Sequence, residues 1–273
     1  MLTRRRLDDE LVRRGLCSNT ADAQVLIAEG RVRVAGAPAL EPTRRVAPGD
    51  AVAVERPPER FVSRGGYKLD GALDAFGVIV TDRRALDAGA STGGFTDCLL
   101  QRGVAHVVAV DVGHGLLAWK LQQDPRVTVC DRTNMRSVTA DDIGGPVDVV
   151  VADLSFIGLR TVASALVACA APQAEFVLLV KPQFEAPRHE VGEGGIVRDR
   201  EVRRRVLQTL IPDLVAYGIV VDGVVRSSIT GTTGNIEYLV HGVRRGATID
   251  AATIDAAIID PAVIDRIIDE EAA

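Results

Sequence analysis

The sequence has few of the residues that mark several common classes of protein. It holds four cysteines in 273 residues, none in a Cys-x-x-Cys spacing, so we expect neither a disulfide framework nor a zinc cluster. The four histidines also lack the spacing of metal ligands, and we predict no metal. No apolar run approaches the roughly 18–20 residues that a membrane-spanning helix needs. Disulfide-stapled and integral membrane proteins are therefore excluded.

The start of the chain is basic and then acidic where a secretory signal would become apolar. We therefore expect a cytoplasmic protein without integral membrane association, and we expect it to be a monomer. Hydrophobic residues make up 47% of the chain and charged residues 25%, which is typical of a globular protein. The length allows one ordinary domain together with a small module.

The net charge of −5 is unevenly distributed. Residues 1–60 hold 11 arginines against 9 acidic residues, whereas residues 247–273 hold one arginine against 7 acidic residues. A basic front end can bind nucleic acid even in an acidic chain, because binding depends on the local field. The alternative is that these arginines only solvate helix faces. In the acidic tail, aspartate recurs every five residues, at Asp250, Asp255, Asp260 and Asp265.

The first 55 residues predict a compact helix-helix-hairpin module. Two short helices are expected between Leu7 and Gly30, with Gly15 ending the first and Ser18 or Asn19 capping the second. Alternating residues at 31–34 and 51–54 indicate short strands. The two prolines in 55–60 cannot lie in a helix or an inner strand, so a domain boundary belongs there.

The pattern in this module resembles the S4 family of RNA-binding modules. The matching string is Arg6-Leu7-Asp8-x-x-Leu11-x-x-x-Gly15, followed by Ser18, Ala23, Ile27, Gly30, Val32 and Val34, although Ala35-Gly36 stands where Asn-Gly is common. The resemblance implies that the helices and basic turns bind structured RNA by shape and backbone. The expected RNA-binding residues are Arg4, Arg5, Arg6, Arg13, Arg14, Arg31, Arg33, Arg44 and Arg45.

Beyond the boundary, short Val-, Ile- and Ala-rich runs alternate with helix-length stretches. Such runs predict strands covered on both faces, and hence an α/β fold with a doubly wound, seven-stranded, Rossmann-like sheet behind the small S4-like module. The predicted domains are the module at 1–59, a linker at 60–67, the α/β domain at 68–246 and the acidic tail at 247–273. The predicted strands are 85–88, 104–110, 127–129, 147–152, 176–180, 219–225 and 236–243.

A glycine-rich turn follows the first of these strands and opens a helix. Its spacing is Gly-x-x-x-Gly-Gly, which differs from a dinucleotide turn. An acid, Asp111, ends the next strand, where a carboxylate can accept both hydroxyls of an adenosine ribose. Both features favour S-adenosylmethionine over NAD. The expected cofactor-binding residues are Gly89, Ser91, Thr92, Gly93, Gly94, Phe95, Asp111, Asp131 and Asn134, the last two reading the adenine or capping local turns.

Only three of the 32 basic residues are lysines. Lysine can give up a proton, whereas arginine effectively cannot. Lys181 follows the fifth predicted strand and Asp153 follows the fourth, so both should lie at the carboxyl edge beside the cofactor turn. Lys120 is typical of an ordinary helix surface. We therefore expect chemistry at Lys181.

Lys68, Asp153, Lys181 and Glu237 form a set that resembles the Lys-Asp-Lys-Glu tetrad of FtsJ-like 2′-O-methyltransferases. Together with the module, residues 1–246 resemble the TlyA family of ribosomal RNA methyltransferases, some of which are labelled hemolysins. The resemblance implies S-adenosylmethionine as cofactor, the cytidine 2′-hydroxyl in 16S and 23S ribosomal RNA as target, and capreomycin susceptibility for some relatives. The family's Arg-x-Trp-Val linker is replaced here by Arg60-Phe61-Val62.

Methyl transfer requires an in-line geometry and a group that takes the hydroxyl proton. In one interpretation Lys181 takes that proton: Lys68 and desolvation favour its neutral amine, and Asp153 and Glu237 orient the two lysines. In the other, Lys181 acts as a fixed cation beside a developing alkoxide. Residues 183–197 would close over the substrate or serve as a solvated connector. Arginines between 198 and 205 could extend the RNA surface.

Three other functions compete with methyl transfer. A pseudouridine synthase would carry its catalytic Asp in a Gly-Arg-Leu-Asp context, but the only Arg-Leu-Asp begins at Arg6, inside the module. A membrane-active hemolysin lacks support from any spanning helix. An RNA-binding protein without methyl transfer would leave the tetrad unused.

Overall fold

The computed structural model describes residues 4–55, 59–245 and 260–269. The predicted boundary at Pro57-Pro58 lies outside these residues, as do 247–259 and 270–273 of the predicted tail, with Asp250 and Asp255. The chain divides into two compact units, residues 1–60 and 61–273.

The first unit packs two helices against short strands. Helices α1 (Leu7–Arg13) and α2 (Thr20–Ala28) bury Leu7, Leu11 and Ile27, and the Asn19 side chain caps α2 by accepting from the Asp22 amide at 2.9 Å. The strands are β1 (Arg5–Arg6), β2 (Val32–Val34), β3 (Ala37–Pro38), β4 (Arg45–Val46) and β5 (Val52–Val54). They form a β1-β4 ribbon and a β3-β2-β5 sheet, all antiparallel.

The second unit contains one seven-stranded sheet with the order β11-β12-β10-β9-β6-β7-β8. Its strands are β6 (Arg84–Ala88), β7 (His106–Val110), β8 (Val127–Cys130), β9 (Val147–Ala152), β10 (Ala170–Val180), β11 (Ile219–Arg226) and β12 (Tyr238–Arg244). Strand β12 is antiparallel to both of its neighbours, and the other adjacent pairs are parallel. The seven strands are confirmed, and the sheet is mixed. Glu237, which lies inside the predicted strand 236–243, directly precedes β12.

Helices cover both faces of the sheet, as expected for a doubly wound fold. One core cluster joins α3 (Gly65–Phe76) and α4 (Gly94–Gln101) to side chains such as Val149 and Val151, and α5 (Trp119–Gln122) adds Leu121. The alternate residues Val150 and Ala152 face the other cluster, with α6 (Ala163–Cys169) and α8 (Arg200–Ala216). A short turn, α7 (Pro182–Glu185), follows β10.

Part of the predicted linker belongs to the second unit. The Phe61 side chain is buried and leaves no space for a side chain at Gly66. The Val62 amide donates to Asp97 at 2.8 Å, and α3 begins at Gly65. Residues 61–67 of the predicted linker therefore pack as part of the α/β unit.

The described part of the acidic tail forms a helix, α9 (Pro261–Asp269), that packs against α8. Ile264 and Ile268 are buried in the core, and Arg204 lies 2.8 Å from Asp265. The buried Arg203 donates to the carbonyl of Val197 at 2.9 Å. These two arginines of α8 are therefore engaged in contacts within the unit.

Candidate active site

Two lysine–carboxylate pairs lie at the carboxyl edge of the sheet. Lys181 follows β10 and Asp153 follows the adjacent parallel strand β9, and their Nζ and Oδ1 atoms are 2.6 Å apart. Lys181 Nζ also donates to Ser155 Oγ at 3.1 Å. From α3, Lys68 reaches Glu237 with 2.5 Å between Nζ and Oε2. Lys68 and Glu237 are both buried, and each compensates the other's charge.

Both pairs line one cavity of about 350 Å³. Ser91, Thr92, Gly94 and Phe95 of the glycine-rich turn contribute to its wall. The chain thus brings all four predicted catalytic residues together, although Lys68 and Glu237 are 169 positions apart. Two anchored lysine amino groups around a cavity can orient an oxygen nucleophile, and each can either accept its proton or, as an ammonium group, compensate negative charge that develops on it.

A second cavity of about 510 Å³ adjoins the first. Gly89, Ser91, Asp153 and Ser155 line both cavities. The second cavity combines apolar side chains such as Val110, Met135 and Ile157 with Asp111, while both lysine–carboxylate pairs line the first. An elongated ligand with an aromatic base and a ribose at one end and charged groups at the other would therefore fit across the two.

Asp111 stands at the wall of the second cavity. Its Oδ2 accepts from the Ser91 amide at 2.8 Å, and its Oδ1 accepts from the Gly113 amide at 2.6 Å. Because each carboxylate oxygen has two lone pairs, acceptor capacity remains for ribose hydroxyls. Position 89 requires glycine for two reasons. Its φ is +87°, and a Cβ there would lie 2.7 Å from the Asp153 carbonyl oxygen.

The other predicted cofactor residues are less uniform. Asn134 lines the second cavity and also caps a turn by accepting from the Arg136 amide at 3.1 Å. Asp131 lines neither cavity; its carboxylate accepts from the Gly115 amide at 2.8 Å and contacts His114 Nδ1 at 2.9 Å. Gly93 also lines neither cavity, because it packs against Leu117 and Leu121.

Asp87, within the glycine-turn motif, was not singled out from the sequence. It is completely buried, and burial raises its pKa to about 7, opposed by a hydrogen bond from Thr96 and reinforced by Asp153. Thr96 Oγ1 donates to its Oδ2 at 2.6 Å. Its Oδ1 has no hydrogen-bond partner among the described residues. The sequence signal that could have identified Asp87 is the position of its carboxyl just before the glycine-rich turn.

Phe156 was also not singled out, although it belongs to the motif around Asp153. Its side chain is 92% exposed, and its φ of 65° lies in the left-handed region, which is unfavourable for a bulky residue. Its ring lies 5.5 Å from that of Phe184. An exposed aromatic ring held in a strained conformation at the rim of the cavities is suited to contacting a ligand.

The nine arginines predicted to bind RNA fall into two groups in the first unit. Five form ion pairs there: Arg6 with Asp8, Arg13 and Arg14 with Glu10, Arg31 with Glu29, and Arg33 with Glu55. The remaining four, Arg4, Arg5, Arg44 and Arg45, are exposed on or beside the β1-β4 ribbon, where β1 pairs with β4. We call these four the ribbon arginines.

Two further features bear on function. Among the described residues, no group of three or more His, Cys, Asp or Glu side chains is placed to hold a metal ion. Over the same residues, every helix is too short or too polar to cross a membrane.

Comparison with known proteins gives matches over both units. Residues 61–244 match the FtsJ-like methyltransferase family and residues 5–52 match the S4 domain. The 16S/23S rRNA (cytidine-2′-O)-methyltransferase TlyA of Mycobacterium tuberculosis is 52% identical over 88% of this chain and 90% of that protein. Hemolysin A of Brachyspira hyodysenteriae is 37% identical over 86% of this chain and 98% of its own. A solved structure from Streptococcus thermophilus, which carries a hemolysin name, is 34% identical with a TM-score of 0.70, covering 100% of this chain and 99% of its own.

Proposed function

The chain belongs to the FtsJ-like methyltransferase family and carries an S4 domain, and from that premise we propose how its residues perform S-adenosylmethionine-dependent 2′-O-methylation of cytidine in 16S and 23S ribosomal RNA. This is the reaction in the name of the relative that is 52% identical. The observation that carries the assignment is the cavity in which Lys181 pairs with Asp153 beside the glycine-rich turn. An enzyme for ribosomal RNA would act in the cytoplasm, where ribosomes are.

The cofactor residues fit S-adenosylmethionine, which supplies an electrophilic methyl group when bound. Asp111 would accept the ribose hydroxyls, and Gly89 lets the backbone come close to the ligand. Ser91, Thr92, Gly94, Phe95 and Asn134 line the cavities and would contact it. Gly93 and Asp131 would act behind this surface, Gly93 through its packing against Leu117 and Asp131 through its hold on the 113–115 loop.

Lys181 would contact the ribose 2′-oxygen. Bound S-adenosylmethionine would supply the methyl group, and the Lys181 amine, held by Asp153, would take the proton that the 2′-hydroxyl loses. Ser155 and Asp153 fix the direction of the Lys181 amine by two short contacts. Lys68, anchored by Glu237 in the same cavity, would orient the ribose and balance charge there.

Phe156 would support the target base. A ribose inside a folded or paired RNA cannot reach a cavity unless the nucleotide leaves its stack, and an unstacked base is commonly held on an aromatic side chain. The exposed ring of Phe156, which packs near Phe184, offers such a surface beside Lys181. The ribbon arginines, which have long exposed side chains, would contact RNA phosphates.

The test is label transfer from methyl-labelled S-adenosylmethionine to separated ribosomal subunits, followed by nuclease digestion. We expect label in 2′-O-methylcytidine. Lys181→Arg keeps the charge but removes the ability to accept a proton, so the rate should fall by about 100-fold or more while the cofactor Kd changes little. Lys120→Arg, which changes a lysine paired with Asp97 outside the cavity, is the matched control.

Two results would contradict this account. Label on a base, or no label at all from the wild-type protein, would refute ribose methylation. Full turnover by Lys181→Arg would refute proton acceptance and leave Lys181 as a fixed cation.

A further inference from the structure

Glu185 is a partly buried acid that the proposed chemistry does not use. It ends α7, the single turn that starts directly after Lys181. The Phe184 amide donates to the Lys181 carbonyl at 2.9 Å, and the Ala186 amide donates to the Pro182 carbonyl at 2.9 Å. Glu185 is therefore held at a fixed position relative to Lys181.

The Glu185 carboxylate points away from its own turn and reaches the loop that follows β9. Its Oε1 accepts from the Leu159 amide at 2.6 Å. Leu159 starts a 3₁₀ turn, Leu159–Thr161, whose first amides have no partner within the turn, so an acceptor there satisfies one of them. Burial raises the pKa of Glu185, opposed by the Leu159 amide and by Arg160.

Gly158 permits this contact. A Cβ at position 158 would lie 2.8 Å from Glu185 Oε2 and 3.2 Å from the Phe184 carbonyl oxygen. The φ of Gly158 is −77°, which any residue adopts, so the requirement for glycine here is close approach rather than backbone conformation. The two loops are thus in contact through Glu185 and Gly158.

The two loops carry the residues that face the substrate. One contains Asp153, Ser155 and Phe156, and the other contains Lys181 and Phe184. They meet at the active-site end through the Lys181–Asp153 pair and through the Phe156 and Phe184 rings. At the far end they meet through Glu185. Phe156 lies between the two attachments in a left-handed conformation that its surroundings must maintain.

We propose that Glu185 is a positioning residue that clamps the Phe156 loop to the Lys181 turn, so that the base of an unstacked cytidine and its 2′-oxygen are held in one geometry for methyl transfer. The inference rests on the proposed function. Glu185 does not line either cavity, so it acts through Leu159 and not by contact with substrate.

The clamp is tested by comparing Glu185→Gln with Glu185→Ala. The glutamine keeps an oxygen acceptor for the Leu159 amide, and the alanine removes it. We expect the single-turnover rate of methyl transfer to fall about tenfold or more in Glu185→Ala with cofactor and RNA Kd values near those of wild type, and to stay within about threefold of wild type in Glu185→Gln. Glu201→Ala, which removes an exposed acid on α8, is the control.

A second readout does not require catalysis. In a Trp119→Phe/Phe156→Trp background, the introduced indole reports on the loop by fluorescence anisotropy in the cofactor-free protein. Glu185→Ala should increase the indole's mobility, and Glu185→Gln should not. Gly158→Ala keeps the acid but pushes the loops apart, and it should reproduce the effects of Glu185→Ala even if that variant fails to fold.

A folded Glu185→Ala protein with wild-type rate and anisotropy would overturn the clamp. So would a Glu185→Gln protein as slow and as mobile as Glu185→Ala, because the acceptor role would then be wrong. Failure of the wild-type protein to transfer methyl groups would refute the proposed function instead, and the anisotropy would still report on the clamp.

Discussion

Charged side chains in the active site are arranged as compensated pairs. Lys181 has Asp153, and Lys68 has Glu237. Removing one member of a buried pair leaves an uncompensated charge, which typically costs about 3–5 kcal/mol. Variants that keep the charge, such as Lys181→Arg, therefore separate chemistry from folding better than alanine does.

Asp87 is a fully buried carboxyl just before the glycine-rich turn, and it makes stability depend on pH. Burial raises the pKa of Asp87 in the folded protein to about 7, above its ordinary value of 3.8. The native state thus holds a proton that the unfolded state loses between these pH values, and the unfolding free energy falls as pH rises through this window. The loss of unfolding free energy from ionising Asp87 is absent below about pH 3.8 and complete above about pH 7, where it amounts to about 4 kcal/mol.

Asp87→Asn should therefore stabilise the cofactor-free protein more at pH 8 than at pH 5. Asparagine has no charge to bury, and its oxygen can still accept from Thr96. The measurement is the difference in Tm between variant and wild type at the two pH values. A difference that is equal at both pH values would contradict this, because it would show that Asp87 is already ionised in the folded protein at pH 5.

At the scale of elements, the arginines of the first unit fall into an exposed group on or beside the β1-β4 ribbon and an ion-paired group elsewhere. The ribbon arginines are exposed, whereas Arg31, just before β2, and Arg33, in β2, pair with Glu29 and Glu55. A side chain already paired must give up its partner to bind a phosphate, so it should contribute less to RNA binding.

Arg44→Gln/Arg45→Gln should make the salt dependence of RNA binding shallower by roughly 1.4–1.8 in the slope of log K against log salt, because each lost phosphate contact removes about 0.7–0.9. Arg31→Gln/Arg33→Gln is the matched control, and its slope should stay near that of wild type. The measurement is titration of ribosomal subunits between about 50 and 200 mM salt. Equal changes in the two double variants would contradict the division.

The elements themselves could be predicted from local pattern. Each of the seven strands of the large sheet overlaps an expected region, because continuous Val, Ile and Ala residues are typical of strands buried on both faces, although β10 begins six residues earlier than expected. The reversed direction of β12 could not be predicted, since strand direction depends on its connections and partners. The described tail was predicted only as acidic, yet its Ile264 and Ile268 are buried in the core.

The candidate site was predictable where residues follow strands directly. Lys181 and Asp153 meet because they end neighbouring parallel strands. Phe156 and Glu185 were not found, because the exposure of one and the contacts of the other depend on how two loops pack. Asp131 is a different case: its position after a strand allowed either adenine binding or a capping role, and in the structure its carboxylate accepts from the Gly115 amide.

At the scale of the whole molecule, RNA recognition and chemistry are assigned to separate units. The net charge is −5, so attraction to RNA must come from local basic surfaces such as the ribbon. The second unit holds the cavities, both ion pairs and the glycine-rich turn. An RNA-binding protein without methyl transfer would have no use for these cavities. Their presence therefore favours methyl transfer over RNA binding alone.

The central claim is that Lys181 meets the ribose oxygen beside the transferable methyl group. A crystal structure of the protein with bound S-adenosylmethionine tests this most directly. The account predicts the adenosine in the cavity beside Asp111 and the methyl group in the adjoining cavity, facing Lys181 and on the side of Gly89 where both ion pairs lie. A methyl group that points away from Lys181, or an adenosine bound outside the Asp111 cavity, would contradict it.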